Sequence, residues 1–151
     1  MALLVPSKRF QPVQRVTASR EQRAARAFGS SRRVAREQKQ KLEELKGFHR
    51  EYQRQFEGTA GDGISVARMQ EYRAFLGRLE RAIREQERVV AGSLEACDVR
   101  RQEWQQRHMR TQVMDKVMDR LRATEQRMQE SSEQKETDDH NQRRGGRRPP
   151  G

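Results

Sequence analysis

The sequence predicts an all-α fold: a long two-helix antiparallel coiled-coil hairpin with an overhanging C-terminal helix and a disordered basic tail. Three observations carry that prediction. With 32% hydrophobic and 36% charged residues, the chain has too little apolar side chain for a thick core but enough for one narrow seam. Apolar residues recur at alternating spacings of three and four over two long stretches. Between the stretches, "EGTAGDGIS" gathers three glycines with Thr59 and Asp62, too many breakers for a helix to continue.

Helix one is expected from about Val13 to Glu57. Stepping back from Phe56 gives Tyr52, His49, Leu45, Leu42, Gln38, Ala35, Ser31, Phe28 and Ala24, a recognisable but weak seam with Phe48 beside it. "FGSS", Phe28 to Ser31, is where this helix is expected to fray or bend, because glycine and serine both disfavour the helix interior.

The loop covers residues 58–64, and Ser65 supplies an N-cap oxygen to helix two, with Ile64 before it able to close over Met69. Helix two is expected from 65 to about 137. Its seam runs Met69, Tyr72, Leu76, Leu79, Ile83, Gln86, Val90, Ser93, Cys97, Arg100, Trp104, Arg107, Thr111, Met114, Met118, Leu121, Glu125 and Met128. Twelve of these eighteen positions are apolar, and the phase never slips, which marks a coiled coil. Cys97 falls in that phase and reads as a seam residue. A single cysteine makes no internal disulfide.

At 1.5 Å per residue the two helices would be roughly 65 and 110 Å long. Folded back at the loop, helix one would end near position 109 of helix two, with paired residue numbers adding to about 121, so that Phe28 faces Ser93 and Leu45 faces Leu76. About thirty residues of helix two, among them Met109, Val113, Met114, Val117, Met118, Leu121 and Met128, would then lack a partner in the hairpin. Two readings of this methionine-rich overhang stand. It self-associates or takes loose cover from the N-terminal arm, or it is a docking surface. The domain reading is one antiparallel coiled coil over 1–142, then a disordered basic tail over 143–151.

Charge is uneven. Residues 1–36 hold nine Lys or Arg and one Glu, and "RRGGRRPPG" adds four more basic residues, out of a net charge of +11. In an antiparallel hairpin both chain ends lie away from the loop, so the positive excess gathers at the open end and steers an acidic partner.

No catalytic constellation is visible, and the protein is expected not to be an enzyme. His49, His108 and His140 are far apart and do not meet Cys97 or a carboxylate pair. "GTAGDG" lacks the Gly-Lys-Ser/Thr of a phosphate loop, and "TDDH" lacks metal-ligand spacing and reads as a solvated helix end. No cofactor, metal or small-molecule substrate is expected. "MALLVP" is too short in apolar residues for a signal-peptide core, and no run is long enough to span a membrane, so the expected compartment is the cytoplasm. A pI of about 10.9 raises nucleic-acid binding, but aromatic residues are not interleaved with the basic ones, and the zipper and the basic region do not form one continuous helix.

"LKGFHREYQRQF", the turn "GDGIS", "YRAFLGRLERAIREQ", Trp104, the ending "EQKETDDHNQRR" and the opening "KRFQPVQRV" together resemble the FliJ family of flagellar type III export proteins, over roughly residues 9–144. Ser93, Arg100 and Arg107 depart from the leucines usual in the family's second helix, and the ending lacks apolar residues after its acidic pair. The resemblance implies a non-enzymatic stalk whose open end sits in the pore of the hexameric flagellar export ATPase. It also implies contact with the membrane export gate at the cytoplasmic face of the inner membrane, and escort of export chaperones. On that basis Arg15, Arg20, Arg23, Arg26, Arg32 and Arg33 are expected to orient the stalk in an acidic pore, with Met114, Met118 and Leu121 against the ATPase ring. Tyr72 and Phe75 are expected to touch the export gate. Two other functions are left open: the stalk of a virulence-type secretion system, and a basic nucleic-acid-binding coiled coil.

Overall fold

The computed structural model describes residues 5–145 of the chain. Two α-helices, α1 (Pro6–Ala60) and α2 (Val66–Gly145), pack against each other as an antiparallel hairpin, and the described residues contain no strand.

Helix α1 starts seven residues before the expected position. Pro6 occupies the first helical position, where its missing N–H would be unpaired in any case and its fixed φ already suits a helix. The Val5 carbonyl accepts the first intrahelical bond, from Arg9 N–H at 3.1 Å. Pro12, just before the expected start at Val13, lies inside the helix. It removes one backbone bond to the Lys8 carbonyl, and contacts from α2 hold the turns on either side of it.

At the other end α1 runs to Ala60, past Gly58, helped by the Thr59 hydroxyl, which donates to the Gln55 carbonyl at 2.6 Å. The chain reverses over the next residues. Asp62 N–H donates to the Thr59 carbonyl at 3.0 Å, and Gly63 takes φ +82°, a backbone region that a Cβ would strain. Ser65 caps α2: its hydroxyl accepts Arg68 N–H at 3.3 Å and its carbonyl accepts Met69 N–H at 3.1 Å.

The contacts of the single coiled coil expected over 1–142 fall into two units, Arg23–Gln105 and the residues up to Gln22 with those from Gln106 onward. In the Arg23–Gln105 unit the non-exposed positions of α2 follow the predicted seam from Met69 to Trp104 with only Arg100 missing, and Ala35 and Val90 are buried. The partners lie further along α2 than expected, by three residues at Gln38–Gln86 and by eleven at Phe28–Trp104, and the continuation of α1 through residues 58–60, which moves the reversal, accounts for part of this. Phe28 stacks on Trp104, not Ser93, with centroids 6.2 Å apart and planes 14° from parallel. Arg32 lies over the Phe28 ring, 5.6 Å from its centre. The helix is continuous through "FGSS", and this stack supplies what the glycine and serines withhold. Further toward the turn, the Gln86 amide donates to the Gln38 carbonyl and side chain at 2.9 and 2.8 Å, and His49 meets Glu80 at 3.3 Å.

In the unit that contains both ends of the described chain, the expected overhang is largely absent. Residues 7–21 of α1 cover α2 as far as Glu125, so Met118 is fully buried and Met114 and Leu121 are half-buried. Cover by the N-terminal arm is therefore the reading that holds for these residues. Beyond Glu125, every described residue of α2 is exposed. That stretch is supported by local side-chain bonds such as Gln126 to Glu130 and Thr137 to the Glu133 carbonyl, and Arg143 and Arg144 suit its C-terminal dipole. Residues 143–145, expected in the tail, belong to the last turn of α2. Residues 146–151 lie outside the described residues.

Candidate interaction surfaces

The seam that α1 contributes to the terminal unit is polar. Ser7, Gln14 and Glu21 sit a heptad apart, each bonded to a side chain of α2. Ser7 donates its backbone N–H to Glu125 Oε1 at 2.8 Å and its hydroxyl to Oε2 at 2.5 Å. Glu125 thus closes one of the orphan donors at the start of α1 and places a carboxylate at its positive end. The Gln14 amide donates to Asp115 Oδ1 at 2.9 Å, and Glu21 Oε1 lies 2.7 Å from His108 Nδ1.

Two carboxyls are shifted by these contacts. The Ser7 hydroxyl and then its N–H hold Glu125 below its ordinary value of 4.5. His108, then Thr111, hydrogen-bond Glu21 and lower it in the same direction. Both groups bind protons more weakly folded than unfolded. Their stabilisation is therefore complete above about 4.5 and is lost as pH falls through the folded values. Urea midpoints measured from neutral pH downward should drop below that point, and the drop should shrink in the Glu21→Gln, Glu125→Gln double variant. An equal drop in both proteins would place the proton uptake elsewhere.

The six arginines singled out in the sequence are all exposed on α1, Arg15 and Arg20 in the terminal unit and Arg23, Arg26, Arg32 and Arg33 in the other. Among the described residues none of them forms an ion pair, and the one acid of α1 before Glu37, Glu21, is occupied by His108. Their charge is thus available to a partner. Met114, Met118 and Leu121 are placed differently from the free surface expected: they lie under α1.

Tyr72 and Phe75 do come together, and they join two residues that were read only as seam. Phe75 lies 4.6 Å from the Tyr52 ring centre and Tyr72 lies 4.7 Å from that of Phe56, while the Tyr72 hydroxyl donates to the Tyr52 carbonyl. A shallow groove of about 230 Å³ opens beside this cluster, lined by Tyr52, Arg68, Glu71, Tyr72 and Phe75. Tyr52 was within reach of sequence reasoning, since an aromatic one turn from Phe56 must meet whatever α2 presents near the turn.

Among the described residues no group of three or more His, Cys, Asp or Glu is placed to hold a metal ion, and no helix is long and apolar enough to cross a membrane.

A family model described as "Flagellar FliJ protein" matches residues 7–150. The chain is also 27% identical over 126 residues to a protein of Salmonella typhi named "Flagellar FliJ protein", covering 83% of this chain and 86% of that one. No solved structure matches.

Proposed function

Because this chain belongs to the FliJ family of flagellar proteins, whose setting is flagellar protein export, we propose that it is the non-enzymatic stalk of the export apparatus. In this reading it binds the hexameric export ATPase, couples it to the membrane export gate from the cytoplasmic face of the inner membrane, and escorts export chaperones. The observation that carries the ATPase contact is that Arg15, Arg20, Arg23, Arg26, Arg32 and Arg33 of α1 are each exposed, with no ion-pair partner among the described residues. Unpaired charge of one sign draws an oppositely charged surface from a distance and orients it on arrival. Met114, Met118 and Leu121 then serve the ATPase contact by holding α1 in place, with Met114 and Leu121 keeping a partly exposed edge.

For the gate, Tyr72 and Phe75 offer half-buried aromatic edges beside a groove, a setting in which a partner's apolar side chain completes the packing.

Reversing Arg15, Arg20, Arg23 and Arg26 to glutamate should weaken capture of the purified ATPase by roughly tenfold or more and abolish its stimulation, with helicity unchanged by circular dichroism. Binding of the wild-type chain should also fall with added salt. Undiminished capture and turnover by the quadruple variant would refute the arginine contact.

A further inference from the structure

A second surface of the terminal unit has a composition of its own. On α2, Met109, Val113 and Val117 follow one another at intervals of four and so form one stripe. On α1, Thr17 lines the same groove, of about 400 Å³, together with Arg110 and Met114. Val13 lies one turn before Thr17 on the same face, and its carbonyl accepts the Thr17 hydroxyl at 2.9 Å. Val13, Met109, Val113 and Val117 are between 40% and 65% exposed, so the seam does not account for them.

The frame of this groove is basic. Arg9 and Arg20 stand four residues before Val13 and three after Thr17, while Arg110 lines the groove and Arg120 stands three after Val117; all four are exposed. No carboxylate on these stripes is left free, since Glu21, four residues after Thr17, is bonded to His108. Asp115 and Glu21 are turned to Gln14 and His108, and Asp119 lies two positions from Val117, away from it on the helix surface. One flank of this unit is therefore apolar along its middle and positively charged along its edges.

We infer that this flank is a docking face for an amphipathic helix whose apolar stripe is edged with Asp and Glu. The stripe from Met109 to Val117 spans roughly 12 Å, so an occupant of two to three turns covers it, with anchors at spacings of three and four. The arginines select the charge of its edges. The chain's own acidic stretch, Glu130 to Asp139, is a poor occupant, because it contains no apolar side chain to fill a groove of valines. A nucleic-acid backbone likewise gains nothing from the valines. The inference does not depend on the ATPase contact: of the residues used there, only Arg20 and Met114 recur, neither is varied to test this face, and either proposal can fail alone.

The test uses the full chain and three synthetic helical peptides of about eighteen residues, roughly 27 Å. One has a leucine stripe edged with glutamate, one has the same stripe edged with lysine, and one keeps the glutamates but has glutamine in place of the leucines. Fluorescence anisotropy at physiological salt should show the first binding at least roughly tenfold more tightly than the other two. The Val113→Ser, Val117→Ser double variant should lose roughly tenfold or more of that affinity with unchanged helicity, and Met109→Ser, at a still more exposed position, should weaken it without risk to the fold. Failure of the first peptide to bind, binding of either other peptide as tight as that of the first, or indifference to both variants would overturn the inference. So would displacement of the bound peptide by duplex DNA, or a sedimentation mass of two chains that falls to one in the double variant, since these would give the face to nucleic acid or to a second copy.

Discussion

Met118→Ala is expected to free the N-terminal arm. Met118 is the one large side chain of the described chain with no solvent exposure, and it lies where α1 contributes only polar seam residues. Truncating a buried methionine costs about 2–5 kcal/mol, set by how far the site collapses around the space left. A two-helix seam yields more readily than a globular core, so about 2 kcal/mol is the expected loss. Little else apolar holds α1 there, so the loss falls on local opening before global unfolding. Hydrogen-exchange protection of residues 7–21 should drop roughly thirtyfold, as 2 kcal/mol implies, while protection near Ala35 and Val90 stays as it was. Unchanged protection at 7–21 would mean that the polar contacts of Ser7, Gln14 and Glu21 suffice by themselves.

Tyr72→Ala should have a comparable effect at the turn. The ring packs against Phe56 and, edge-on, against Tyr52, and its hydroxyl donates to the Tyr52 carbonyl. Removing a half-buried aromatic with two ring partners is expected to cost about 2 kcal/mol, while Tyr72→Phe, which keeps the rings and drops the hydroxyl, should cost about 1 kcal/mol. Thermal melts of the two variants give this comparison. The pair also separates structure from recognition: if Tyr72 contributes to gate contact through its ring, Tyr72→Phe should capture the gate normally and Phe75→Ala should not. Normal capture by Phe75→Ala, with helicity intact, would remove Phe75 from the proposed gate surface.

The phase of the α2 seam was legible in the sequence because at least one apolar residue marks it in every heptad. The seam of α1 faded from view toward the N-terminus for a physical reason. Ser7, Gln14 and Glu21 occupy it by hydrogen bonding, and a pattern based on hydrophobicity does not register them. The start expected at Val13 lies just past Pro12, whereas the helix begins at Pro6, which occupies its first position. Missing these seven residues turned a covered stretch of α2 into an apparent overhang. The reversal was readable from its glycines, but Gly58 is helical, and the later reversal moved the partners further along α2 than the naive register placed them. Tyr72 and Phe75 could be found from the sequence, and Tyr52 and Phe56 mark the facing side of the turn, but which rings meet depends on the register, which the position of the reversal helps to set.

The bond between Ser7 and Glu125 joins residues 118 positions apart, whereas Tyr72 reaches Tyr52 across only 20. On a ribosome adding about 5–20 residues each second, the first turn of α1 therefore waits some 6–24 s before its partner has been made. Closure begins at the aromatic cluster, where the connecting loop is short, and the arm is fastened last. For that interval the newborn chain presents a basic, unpaired helix, open to whatever acidic surface it meets first.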